Sequence, residues 1–189
     1  MNAENRHDPV TRNRLRASAA RPSDRAPAGI WLGSGLAAMA LAGVFAARSQ
    51  ARPAAAALLA AALLLWLAVA RPRQSPFGAY LTALVDQVGD AIVLAPLAWP
   101  LAHGSVQEGA PAVSALGLVF VGAYAQVRSR ALGYDTPAAP DGAPERSAVL
   151  AVGLLAPATF LEPALWIVGA LGAAAAARVT VVVWKARGT

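Results

Sequence analysis

Apolar residues in this chain form runs as long as whole helices and do not alternate with polar residues one by one. After a polar beginning, six long apolar runs follow, and short segments with most of the charges separate them. Most of the runs have the roughly 17–25 residues that cross a hydrocarbon core, and the fifth is at the short end. The runs cover residues 30–47, 53–70, 77–102, 111–127 with an extension to 132, 147–161 and 163–184.

The runs lack the apolar–polar alternation of barrel strands, and only helices or closed barrels satisfy their backbone hydrogen bonds in lipid. The pattern therefore predicts an all-α, polytopic membrane protein with six transmembrane helices over residues 30–189. Residues 1–29 are polar, rich in Arg and Pro, and without periodicity. We expect them to form a disordered, basic cytoplasmic tail.

Arg and Lys are distributed unevenly between alternate loops. With the amino terminus inside, the predicted cytoplasmic segments are the tail, residues 71–76, residues 128–146 and the carboxyl terminus, and these carry most of the cations. The first outer loop carries Arg48 and Arg52, whereas the outer loops at 103–110 and 161–163 carry no Arg or Lys. This asymmetry predicts a multi-pass protein of the cell membrane with both termini cytoplasmic.

The composition agrees with a membrane protein. The chain is 57% hydrophobic and 14% charged, whereas a soluble domain would carry roughly 25% charged residues. The net charge is +6, but Arg and Lys lie at the ends of the apolar runs, as membrane topology requires. We therefore expect membrane lipids and no nucleic acid as partners. The chain has no cysteine, which excludes structural disulfides and thiolate metal sites.

Two carboxylates, Asp86 and Asp90, are the only charges of the third run. A spacing of four places both on one helix face, and the same face extends back through Thr82 to Gly78. We call these four residues the acidic row and expect it to face the interior near Arg128 or Arg146. Paired carboxylates suit a divalent cation, or an ion or proton pathway. The alternative is a protonated aspartic acid that is hydrogen-bonded between helices.

The segment GAYLTALVDQVGDA, residues 78–91, resembles the second half of the signature of the CDP-alcohol phosphotransferase (CDP-alcohol phosphatidyltransferase) family. That signature reads D-x2-D-G-x2-A-R, a spacer, and G-x3-D-x3-D. Further similar landmarks follow in order along the chain after residue 29: Ala70–Arg71 at the end of the second run, GAYAQVRSRALG at 122–133, and the Pro-Glu-Arg triplet at 144–146.

The resemblance implies a six-helix membrane enzyme of phospholipid biosynthesis, which displaces CMP from a CDP-linked lipid by an alcohol. It implies Mg²⁺ or Mn²⁺ as the cofactor if the chain is active and none otherwise. The partner would be a second copy in a homodimer or a related membrane protein in a heterodimer. By the same resemblance, Asp86 would be the catalytic base, and Asp86 and Asp90 would be metal ligands. Arg71 and Gly78 would bind the nucleotide. Arg128 and Arg146 would bind phosphate.

The chain departs from the signature at several positions. Leu63, Trp66 and Thr82 stand where three of the four aspartates belong, and Leu67 replaces a glycine. No acidic residue occurs between Asp24 and Asp86, so a shifted alignment cannot restore the first two aspartates.

We therefore expect impaired or lost transferase activity, with Trp66 filling much of the metal pocket. The chain would then be a pseudoenzyme with a partner, regulatory or lipid-binding role. The alternatives are an active transferase with a rearranged metal site and a small ion- or proton-handling protein.

Overall fold

The computed structural model describes residues 26–70, 76–104, 106–134 and 142–186, and within these ranges the chain forms helices and short turns without strands. The predicted disordered tail lies outside the described residues up to residue 25, and so does Arg71. Six α-helices are described: α1 Ala26–Ala47, α2 Ala51–Val69, α3 Pro76–Gly104, α4 Val106–Ala131, α5 Ala143–Leu155 and α6 Leu161–Ala186. A 3₁₀ turn, Ala158–Phe160, leads into α6.

The predicted all-α architecture with six helices is confirmed. Five of the described helices, α1 to α4 and α6, are long and apolar enough to cross a membrane. The fifth helix differs from the prediction: it begins at Ala143 instead of 147 and ends at Leu155 instead of 161. Pro157 explains the early end, because the residue before a proline is driven out of the helical region, and Ala156 is extended with ψ 169°.

The helices pack as a closed ring in the order α1–α3–α4–α6–α5–α2, with α2 returning to α1. One further, slight contact crosses the ring, between α3 and α5. Among the described residues, the largest fully buried side chains come from several helices and form one apolar core, including Met39, Leu58, Leu65, Leu94 and Leu165. Because α3 and α5 touch across the ring, one face of α3 points into the ring, toward α5.

Contacts at small residues show the relative depth of the helices. The backbone of Gly122 in α4 approaches Gly172 in α6, and these two helices run parallel. In the same way, Gly89 of α3 lies against the Met39 side chain of α1. Small residues permit such close approach of membrane helices.

The short helix α5 begins halfway into the ring, as its contact with α6 shows. Gly153 of α5 lies against Ala164 of α6. Ala143, the first residue of α5, lies ten residues before Gly153. It is therefore roughly 15 Å nearer than Gly153 to the end of the ring where α1 and α3 begin. We call that end the proximal end. From the depth of Ala143, α6 continues for roughly another 18 Å to Ala186.

Candidate functional site

The acidic row faces the interior of the ring, as its spacing predicts. Thr82 and Asp90 are buried, and Gly78 and Asp86 are half-buried. Because helix residues four apart share a face, burial at these positions identifies one inward stripe of α3. The Thr82 hydroxyl donates a 2.9 Å hydrogen bond to the Gly78 carbonyl oxygen within the helix.

At the inner end of the row, Asp90 forms a two-pronged ion pair with Arg146 of α5. The Arg146 Nη2 atom lies 2.6 Å from Oδ2 of Asp90, and Nε donates to Oδ1 at 3.3 Å. Both side chains are buried, with 3% of Asp90 and 6% of Arg146 exposed. Both oxygens of this carboxylate therefore accept hydrogen bonds from a single guanidinium, whose planar fork suits a carboxylate.

The local sequence places Arg146 at this depth. Gly142 precedes α5 in an extended conformation, and Pro144 occupies the first turn, where a missing N–H costs nothing. Arg146 is in the same turn, and its main-chain N–H donates to the Gly142 carbonyl oxygen. Asp90 lies roughly 21 Å along α3 from Pro76. The two side chains meet at the level where α5 begins, halfway into the ring.

Leu63 and Trp66 of α2 replace aspartates of the family signature, and contacts through α1 show that they lie at the depth of the acidic row. Leu65 of α2 packs against Gly35 of α1, and Met39 of α1 packs against Gly89 of α3. Because α1 runs antiparallel to α2 and parallel to α3, these contacts put Leu65 level with a position about four residues before Gly89. Asp86 lies within about two residues of that level.

Leu63 and Trp66 are accordingly near the depth of Asp86, but neither packs into the interior. Leu63 is 59% exposed and Trp66 is 57% exposed. The expectation that Trp66 fills an interior pocket is therefore wrong. The physical reason is the orientation of α2: Leu65 points at α1, and the neighbouring Trp66 is turned by about 100° from it.

The structure brings together some of the predicted site residues and separates others. Asp90 and Arg146 are in contact, whereas Arg128 is exposed on the last turn of α4. Sequence reasoning missed Ser147, whose Oγ atom is buried and makes no hydrogen bond to the described residues. Its position next to Arg146 was the available signal, but a serine in an apolar helix has no distinctive pattern.

The described residues contain no group of three or more His, Cys, Asp or Glu side chains that could hold a metal ion. A diphosphate with two divalent ions needs many anionic oxygen ligands. Here α2 supplies no carboxylate, and both oxygens of Asp90 are engaged by Arg146. The described residues therefore do not fit a two-metal site.

The fold is similar to solved structures of the phosphatidylinositol phosphate synthase PgsA1 of Mycobacterium tuberculosis. The structure with CDP-DAG bound has a TM-score of 0.67 and 20% sequence identity, over 93% of this chain and 92% of that chain. The apo form has a TM-score of 0.65 and 19% identity, over 94% and 95%. The complex with manganese and citrate has a TM-score of 0.67 and 19% identity, over 93% and 88%.

No protein-family profile matches this sequence, and no curated protein sequence matches it. At 19–20% identity the structural likeness establishes the architecture and not the chemistry. The chain is a multi-pass membrane protein with the helical bundle fold of that synthase.

Proposed function

We propose that this chain is a divergent member of the CDP-alcohol phosphatidyltransferase family that has lost transferase activity and serves in the membrane as a lipid-binding or partner-binding protein. The family assignment is supported by the shared fold together with the landmarks at Gly78, Asp86 and Pro144–Arg146. The loss of activity is supported by the chemistry of the interior.

The observation that carries the proposal is the engagement of both Asp90 oxygens by Arg146. It leaves Asp86 as the remaining carboxylate of the acidic row. Leu63 and Trp66, the positions of α2 near its depth, have no oxygen to offer. A single carboxylate cannot provide the ligands and the negative charge that two divalent ions require beside a diphosphate.

A lipid-binding role is compatible with these losses. The solved neighbour binds CDP-DAG, a CDP-linked lipid. Binding of such a lipid depends on the shape of the bundle and on cations, whereas turnover also depends on groups that stabilise the developing charge. The ion- or proton-handling alternative has less support, because Arg146 already compensates the charge of Asp90.

The deciding experiment measures CMP release from CDP-diacylglycerol by the purified protein in nanodiscs. The reaction contains Mg²⁺ or Mn²⁺ and either inositol phosphate or glycerol phosphate, and PgsA1 serves as the positive control for the assay. We expect no release above that of empty nanodiscs. Native mass spectrometry of the same sample tests whether CDP-diacylglycerol stays bound.

Metal-dependent CMP release that disappears in Asp86→Asn would show that the site works with fewer carboxylates, and the loss of activity would be refuted. Failure of the protein to bind CDP-diacylglycerol would refute lipid binding through a CDP-linked lipid. In that case partner binding is the remaining role, which cross-linking in native membranes would examine.

A further inference from the structure

We propose that the Asp90–Arg146 pair is a latch that sets the depth and rotation of α5 within the ring. The pair lies at the slight contact where α3 and α5 meet across the ring. It joins residues that are 56 positions apart in the sequence, and it engages the first turn of the shortest α-helix described. The proposal does not depend on whether the chain is a transferase.

The other contacts of α5 give it little directional restraint. It packs against α2 and α6 mainly through small and aliphatic residues, such as Gly153 against Ala164. In a membrane, lipid tails are as apolar as such side chains, so burial alone hardly favours one depth of a helix over another. A fork of two hydrogen bonds has a fixed geometry, and a shift of α5 by one helical turn, roughly 5.4 Å, would break it.

At a buried ion pair, the effect on the position of a helix can be separated from the effect on the stability of the folded protein. Removing one partner leaves an uncompensated charge and is strongly destabilising, whereas replacing both partners with apolar residues of similar volume is often neutral or stabilising. A latch therefore predicts that an apolar replacement pair folds but no longer holds α5 at one depth. A pair that serves stability alone predicts no change in the position of α5 in that variant.

The absence of cysteine from the chain allows a direct test. Ser147 is 1% exposed, and it adjoins Arg146 in α5. The probe is Ser147→Cys, a nearly isosteric change, labelled by a membrane-impermeant maleimide in nanodiscs. With the latch intact we expect slow labelling. With Asp90→Asn or Arg146→Gln we expect labelling to accelerate by at least about tenfold, because the buried pair has lost one partner.

The informative background is the double variant Asp90→Leu with Arg146→Met, which avoids an unpaired charge if the single variants do not fold. We expect this variant to be monodisperse, with a Tm near that of the parent, and to label at least about tenfold faster than the parent. The matched control is Thr82→Val, which removes a buried hydroxyl from the same face of α3 and leaves labelling slow. Slow labelling of the folded double variant would overturn the proposal, because packing alone would then position α5.

Discussion

Gly122 of α4 and Gly172 of α6 approach so closely that neither position has room for a side chain. A Cβ atom at Gly122 would lie 2.6 Å from the main-chain oxygen of Gly172, and a Cβ at Gly172 would lie 2.7 Å from the main chain of Leu118. The obstructing atoms belong to the backbone, so they cannot move away by rotation about a side-chain bond. The seam between α4 and α6 is therefore closed to any larger residue.

We expect Gly122→Ala and Gly172→Ala each to lower the thermal stability of the detergent-solubilised protein. Overpacking of a tight contact costs about 1–3 kcal/mol, and the added methyl group would force the two helices apart. Gly117→Ala, also in α4, is the control, because no atom other than those of the adjoining helix backbone lies within 4 Å of a Cβ at Gly117. This control is expected to retain or raise the Tm, and an equal loss in all three variants would contradict the steric explanation.

Ser147→Ala is expected to leave stability unchanged or to increase it slightly. The Ser147 hydroxyl is buried and makes no hydrogen bond within the described part of the chain, so its removal relieves the desolvation cost of a polar group. Thermal unfolding measured beside Thr82→Val provides the comparison, since the Thr82 hydroxyl does donate a hydrogen bond. A loss of about 1 kcal/mol or more in Ser147→Ala would indicate a hydrogen-bond partner outside the described residues.

The orientation of the bundle in the membrane follows from the Arg distribution and stays a prediction. In the cysteine-free chain, Gln50→Cys lies in the exposed turn between α1 and α2, and Leu132→Cys lies in the exposed segment after α4. An impermeant maleimide added to intact cells should label the first and should reach the second after permeabilisation. The opposite pattern would place the proximal end, and both termini, outside the cell.

Carboxylates on the exposed side of α2 should not create a cation site with the acidic row. Leu63 and Trp66 lie near the depth of Asp86 but are mostly exposed, and α2 and α3 are not neighbours in the ring. We therefore expect the triple change Leu63→Asp, Trp66→Asp and Thr82→Asp to bind Mn²⁺ no more tightly than the parent protein, as measured by electron paramagnetic resonance. Mn²⁺ binding that weakens when Asp86→Asn is added would show instead that these α2 positions and the acidic row share a site.

Sequence periodicity predicted the fold and the inward face of α3 because both depend on local spacing. The positions Gly78, Thr82, Asp86 and Asp90 share a face in any α-helix, so no knowledge of packing was needed to align them. The specific pairing of Asp90 with Arg146 was beyond the sequence. It depends on how deep α5 lies in the assembled bundle, and the local spacing of residues along the chain does not report that depth.

The errors in the prediction have one local and one tertiary source. The bounds of α5 were wrong because its apolar composition continues past Leu155 while Pro157 ends the helix. Trp66 was expected in the interior because hydrophobicity alone does not distinguish the lipid-facing side of a membrane helix from the protein-facing side. Residue size does not mark the buried side of α2 either, since that side includes Leu58 and Leu65 beside four alanines, whereas Ala56 and Ala60 are exposed.

The half-depth start of α5 also divides the molecule between the two leaflets of the bilayer. In the described part of the chain, six helices pass through the distal half of the ring, and five continue through the proximal half. The described helices therefore form a wedge, wider at its distal end by about one helix, or roughly 10 Å. A wedge displaces more lipid from one leaflet than from the other, so we expect it to be most stable in bilayers whose distal leaflet is expanded by curvature.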